Sequence, residues 1–269
     1  MTSRVRLDLL LLYAVVYMFF IYAPVMLLPL FSFNDSIYVT FPLKGFTTKW
    51  YEEMANNPAL LAALRNSVEV GVVISIISTA IGLLAAKAIT RYDFPGKMAM
   101  IGFISLPLVV PYIFLAIALL TIARKYLDIE LSLWTIGASH ILACSPFAML
   151  VMVSRLEGFD KNLEEASLDL GEGAWSTFWR ITFPLALPGV VASLLLCFTT
   201  SFDEYLLAAF LSGNETTLPI YIFSQLRFPA RLPSTLALGS CILITSFVVV
   251  TFSEWLRRRG VQGTTVSGI

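Results

Sequence analysis

Two clusters of polar residues could carry chemistry in a chain that is otherwise apolar. The first is the run at 160–188, Asp-Lys-Asn-Leu-Glu-Glu-Ala-Ser-Leu-Asp-Leu-Gly-Glu-Gly-Ala-Trp-Ser-Thr-Phe-Trp-Arg-Ile-Thr-Phe-Pro-Leu-Ala-Leu-Pro, which is charged, amphipathic and hinged by glycine. It is too polar for lipid and too short for a domain, which points to docking of a water-soluble partner. The second is Asp203–Glu204, preceded by Thr199, Thr200 and Ser201. A carboxylate at the bilayer centre costs about 2.5–3.5 kcal/mol on insertion scales, so acids in a span need a reason to be there. Two readings stay open. Thr200, Ser201, Asp203 and Glu204 form a polar stripe on a substrate path, with Asp203 attracting a cation; or one acid caps a helix or pairs with a basic residue of a neighbouring subunit. Adjacent helical residues point about 100° apart, so both acids cannot project into one narrow pore.

Catalytic equipment is sparse. His140 is the single histidine, within an apolar run, and reads as a packing residue. No His-Glu-x-x-His and no Gly-x-Ser-x-Gly occurs. Cys144, Cys197 and Cys241 sit in apolar runs without partners at metal-ligand spacing and read as buried free thiols. Gly96-Lys97-Met98 does not complete a P-loop, so no ATP site is expected on this chain. The residues therefore suggest no enzyme, no bound cofactor and no metal; the energy for any transport must come from elsewhere.

The elements that position these residues are membrane spans. Of 269 residues, 58% are hydrophobic and 13% charged, with a mean hydropathy of +0.81. A soluble domain carries nearer a quarter charged residues, so the excess apolar surface must face lipid. A span needs about 20 apolar residues. Six runs qualify: Leu9–Phe31, Val68–Ala86, Met98–Ala123, Leu133–Val153, Leu185–Leu211 and Leu236–Trp255. Each must be helical to satisfy its own backbone, giving an all-α membrane protein, one domain over 1–269. Pro107 and Pro111 should kink the third span. The first run is too long for a signal-peptide core and reads as a retained span.

Orientation follows from lysine and arginine. With the N-terminus cytoplasmic, the inner segments hold Arg4, Arg6, Lys87, Arg91, Lys97, Arg155, Lys161, Arg180 and Arg257–Arg259. Both termini and the 154–184 loop then lie inside. Net charge is zero, so no nucleic-acid partner is implied. Outside, residues 32–66 carry Trp50 and Tyr51, which suit a membrane interface, and a short helix should start at Pro219. Glu69 should reach the headgroups.

Within the loop, Asn162 and Glu165 have the spacing of a capping box. A helix should run from Leu163 to Leu170, break at Gly171 and Gly173, and be followed by an amphipathic stretch at Ala174–Ile181. Pro184 and Pro188 should reset the chain into the fifth span. The plainer alternative is an interfacial amphipathic loop.

These residues resemble the cytoplasmic signature of permease subunits of ATP-binding-cassette importers: Glu-Ala-Ala, three residues, Gly, nine residues, Ile, one residue, Leu-Pro. Here Glu165-Ala166-Ser167 is followed at the same spacing by Gly171, Ile181 and Phe183-Pro184, with Ser167 and Phe183 as departures. Asn66-Ser67, opening the second span, looks like the family's start of the core domain. Ser201-Phe202-Asp203-Glu204, followed by Thr217-Leu218-Pro219, is similar to the spermidine/putrescine class, and the short N-terminal part and six spans resemble the second permease subunit of such systems. Glu204, where that class often has Asp, and the run Arg227–Pro233 depart from it. The resemblance implies a type I importer permease fold with a coupling helix between helices 4 and 5. It assigns ATPase coupling to Glu164, Glu165, Ala166, Ser167, Gly171, Ile181 and Pro184. It implies an ATPase dimer carrying the ATP and Mg2+, a second and different permease, an extracytoplasmic binding protein, a bacterial inner-membrane location and a polyamine-like cation as cargo. The competing expectation is a stand-alone cation-coupled carrier or channel, which would work without an ATPase.

Overall fold

The computed structural model describes the backbone of residues 2–261 and the side chains of 9–248 and 251. The expectations placed on Arg4, Arg6 and Arg257–Arg259 concern side chains outside those described. Among the described residues five helices are long and apolar enough to cross a membrane, six if one bent pair is counted as a span. The described residues contain no strand, only an isolated bridge between Asn34 and Phe46. They divide into two compact units, residues 2–58 with 222–261 and residues 59–221.

The first unit holds α1 (Thr2–Ser32), α2 (Lys49–Ala55) and α12 (Leu232–Val261). The apolar side chains of α1 from Leu9 to Phe20 are exposed, as a lipid-facing helix requires. The connection after α1 is folded on itself. Asn34 Oδ1 accepts from the Lys44 N–H at 2.9 Å, and Lys49 pairs with Asp35. Trp50 is buried and donates its Nε1–H to the Asn34 carbonyl at 2.8 Å, while Tyr51 bonds Ser32 at 2.7 Å. Trp50 is thus a packing residue of this connection, not the interfacial anchor its type suggested; a buried indole needs an acceptor, and the Asn34 carbonyl supplies it.

The second unit starts with α3 (Pro58–Arg91), which begins well before the apolar run at Val68. At about 1.5 Å per residue it is about 50 Å long, more than the hydrocarbon layer. Glu69 pairs with Arg65 one turn earlier at 2.6 Å. The third span is broken rather than kinked: α4 (Lys97–Val109) and α5 (Tyr112–Thr121) meet at 104°. Pro111 cannot donate its backbone nitrogen and holds Val110 extended (ψ 123°), so the helix stops and restarts.

α6 (Leu133–Glu157) opens with a capping box between Ser132 and Thr135 and tolerates Pro146 inside. It packs on α3 and on α9 (Phe183–Asp203). Gly82 marks the tightest approach, since a Cβ there would lie 2.6 Å from the Ala148 backbone. Cys144 and Cys197 face each other across α6 and α9, each thiol donating to the other's carbonyl at 3.7 Å. Both are free, as is Cys241.

The fifth span ends earlier than its apolar run. α9 stops at Asp203, Glu204 is extended, and α10 (Leu206–Leu211) follows as a separate helix. A short helix α11 (Leu218–Gln225) then places Pro219 in its first turn, as expected.

Candidate functional site

The 160–188 run folds into an elbow. α7 (Asn162–Asp169) and α8 (Ala174–Thr177) form its two limbs. Asn162 is not the cap. Asp160 performs that role, its carboxylate accepting from the Asn162 N–H at 3.0 Å and the Asn162 amide at 3.2 Å. This Asx turn satisfies one of the two donors a capping box would, the Asn162 N–H; the other, the Glu165 N–H, donates to the Lys161 carbonyl at 3.2 Å. Only Gly171 needs to be glycine for its backbone: its φ is +89°, whereas Gly173 sits at −76°. The carbonyls released at the end of α7 are taken up by Gly171 N–H to Leu168 (2.9 Å) and Glu172 N–H to Ser167 (3.1 Å).

The second limb does not stop before the fifth span. α8 runs through a π-helical turn at Phe178–Thr182 into α9, so residues 174–203 form one element. Pro184 comes just after the π turn, and Pro188 lies within α9. The prolines therefore do not reset the chain. Wider i→i+5 bonding absorbs the disturbance, and the Arg155 guanidinium donates twice to the Leu185 carbonyl, at 2.9 and 2.7 Å. Trp175, Phe178, Trp179 and Phe183 stack along this limb.

The residues assigned to coupling separate into two groups. Glu164 and Ser167 face inward. Glu164 Oε2 pairs with Arg91 Nε at 3.2 Å and Oε1 accepts from the Thr182 hydroxyl at 2.7 Å, with Arg91 and Glu164 only 7% and 14% exposed. Ser167 bonds Thr177 at 2.9 Å, tying the limbs together. Ile181 is half-buried in the π turn. Glu165, Ala166, Gly171 and Pro184 face outward. Around them lie Leu163, Leu168, Leu170 and Trp175, all exposed; Leu170, at the tip, is 86% exposed. The elbow thus presents an apolar knuckle beside a free-facing Glu165.

Sequence reasoning missed Arg91, Thr182, Lys87 and Phe159. Arg91 Cζ stacks 4.5 Å from the Phe159 ring and Lys87 Nζ lies 4.8 Å from that of Phe178. The available signal was two basic residues four apart at the end of the second span, which places both on one helix face.

The stripe on α9 is less open than its composition suggests. Thr199 and Thr200 spend their hydroxyls on the carbonyls of Leu195 and Leu196. Ser201 is buried against His140 Nδ1 at 2.8 Å, which makes His140 a packed, partnered residue on one side; its Nε2 has no partner among the described residues. Glu204 Oε1 accepts from the Leu207 N–H at 3.1 Å and so caps α10. Asp203 is exposed and makes no hydrogen bond or ion pair among the described residues. The elbow and Asp203 are not brought together: they lie at opposite ends of α9, about 30 Å apart along the helix.

A second clasp joins motifs that are distant in sequence. Asn66 Nδ2 donates to the Thr216 carbonyl at 3.0 Å, and Ser67 Oγ accepts from the Leu218 N–H at 2.8 Å.

Among solved structures, the chain is similar to a subunit of a bacterial alginate ABC transporter in complex with alginate pentasaccharide-bound periplasmic protein. The TM-score is 0.71 at 17% identity, over 99% of this chain and 97% of that one. It also resembles a chain of the MetNI methionine ABC transporter in inward-facing form (TM-score 0.58, 17% identity, 76% and 96% covered). These likenesses establish the importer-permease fold. The spermidine/putrescine transport system permease protein PotC of Escherichia coli (strain K12) is 36% identical over 247 residues, 91% of this chain and 92% of that protein. The putrescine transport system permease protein PotI of the same organism is 32% identical over 243 residues, 88% and 85% covered. The family model described as binding-protein-dependent transport system inner membrane component matches residues 78–261. With that match and those relatives, the chain belongs to the family of binding-protein-dependent transport system inner membrane components.

Proposed function

We propose that this chain is a permease subunit of an ATP-binding-cassette importer and lines half of the path for a small organic cation of the polyamine kind. The observation that carries the reading is the elbow: Glu164 holds it to the bundle and Ser167 ties its limbs together, while Leu163, Leu168, Leu170 and Glu165 are presented around Gly171. A surface built this way serves docking, and the relatives named for spermidine and putrescine transport favour an ATPase as the partner. In this reading ATP and Mg2+ are held by a separate ATPase dimer, the elbow and both termini are cytoplasmic, and the bundle sits in a bacterial inner membrane. A second, different permease completes the path, and an extracytoplasmic binding protein delivers the cargo.

For the cargo, Asp203 is the acid in play. It sits at the C-terminal end of α9, where the helix dipole also favours positive charge. Glu204 has its carboxylate committed to α10. Transport follows if nucleotide and cargo bind the inward- and outward-open states with different affinity.

The test is reconstitution. Co-purified subunits in liposomes should accumulate a labelled polyamine only with ATP inside the ATPase compartment. Leu170→Asp should release the ATPase on size-exclusion chromatography. Accumulation by this chain without an ATPase would instead favour the stand-alone carrier.

A further inference from the structure

We infer that Arg91 and Glu164 are positioning residues that fasten the elbow to the end of α3, so that the two move as one body. The inference deepens the proposed permease role and rests on it. Four attachments carry it, and they fall on both sides of Gly171. Before the turn, Phe159 lies under the Arg91 guanidinium at 4.5 Å and Glu164 pairs with Arg91 at 3.2 Å. After the turn, Thr182 donates to the same Glu164 carboxylate at 2.7 Å and Phe178 lies 4.8 Å from Lys87 Nζ, one turn back along α3. One carboxylate therefore joins three elements: α7, α3 and the turn that enters α9.

The setting favours rigidity. Both partners of the ion pair are nearly excluded from water, so solvent and salt screen them little. Beneath them Leu83, Ala86, Met152, Leu156 and Ala186 form a closed apolar cluster. The Ser167–Thr177 bond braces the limbs against each other. Arg91 Nη2 is buried with no acceptor among the described residues, so no other group stands ready to replace Glu164. A loop held at both limbs cannot act as a slack tether. A load on its tip passes into α3.

The experiment uses the full importer, with ATPase, second permease and binding protein, in lipid nanodiscs and liposomes. Spin labels at Leu84 on α3 and Lys161 at the start of α7, both exposed positions, report their separation with and without trapped nucleotide. The expected result is one narrow distance, unchanged between the two states. In parallel, Arg91→Gln and Glu164→Gln are compared with the double variant for uptake per ATP hydrolysed. Coupling energies between sites run about 5–150-fold, so each single variant should lose at least about fivefold in uptake per ATP while hydrolysis continues. Removing one partner strands the other charge in a buried site, so the double variant should recover part of the loss. A label distance that shifts with nucleotide in the parent, or single variants with unchanged uptake per ATP, overturns the inference. If the single variants fail to assemble, the label distance in the parent decides alone. Absence of nucleotide-driven uptake in the parent would instead count against the permease reading.

Discussion

Ser67 accepts the backbone N–H of Leu218 at 2.8 Å across 151 positions of sequence. The hydroxyl is buried, and so is the N–H it satisfies, just where the chain turns into α11. Ser67→Ala should therefore leave a buried donor without a partner and destabilise the chain by about 1–3 kcal/mol. Thermal unfolding in detergent is the readout. An unchanged transition would mean that water reaches Leu218 in the membrane form.

Gly82 gives a steric prediction. A Cβ there would fall 2.6 Å from the Ala148 backbone carbon, and backbone cannot swing aside as a side-chain tip can. Gly82→Ala should cost about 1–3 kcal/mol or prevent assembly. Gly102→Ala in α4 meets nothing within 4 Å and should be neutral or mildly stabilising. Paired expression and melting measurements compare the two.

The two elbow glycines should respond differently. Gly171 occupies the left-handed region, so Gly171→Ala is expected to cost about 1–2 kcal/mol and loosen ATPase capture. Gly173, at φ −76°, accepts alanine without strain. Equal effects of both substitutions on ATPase binding would contradict this account of the elbow.

The adjacent acids should also part company. Asp203→Asn is expected to reduce uptake while leaving melting and ATPase assembly as they were. Glu204→Ala removes the acceptor at the start of α10 and should lower stability by about 0.5–2 kcal/mol. Uptake kinetics and thermal melts on both variants check this; Asp203→Asn with unchanged uptake takes that acid off the cargo path.

Much of the architecture was legible because lipid imposes a simple rule. An apolar run of sufficient length must be a helix, and five of the six runs fall on single long helices, although the second helix starts well before its run and the fifth stops at Asp203, short of its end. The third should kink at Pro107 and Pro111 and instead breaks at one of them: Pro107 stays inside α4, whereas Val110 before Pro111 is extended and the halves meet at 104°. The fifth run is apolar beyond Asp203, so its composition hid the stop at Glu204. The elbow itself was readable from Gly171 and the spacing around it. Which of Glu164 and Glu165 turns inward was not, because the deciding partner, Arg91, lies 73 positions away. Trp50 misled for a similar reason: aromatic type suggests an interface, but its acceptor is the Asn34 carbonyl. Spacing reports periodicity along one element, whereas these choices are made by contacts between elements.

From Ser67 to Arg91 α3 runs unbroken for about 36 Å, longer than the hydrocarbon layer is thick. A single stiff strut therefore has one end latched to the 216–218 segment and the other bolted beneath the knuckle. Opposite rims of the bundle share a mechanical member, and any coupling of binding affinity carried along it acts equally in both directions.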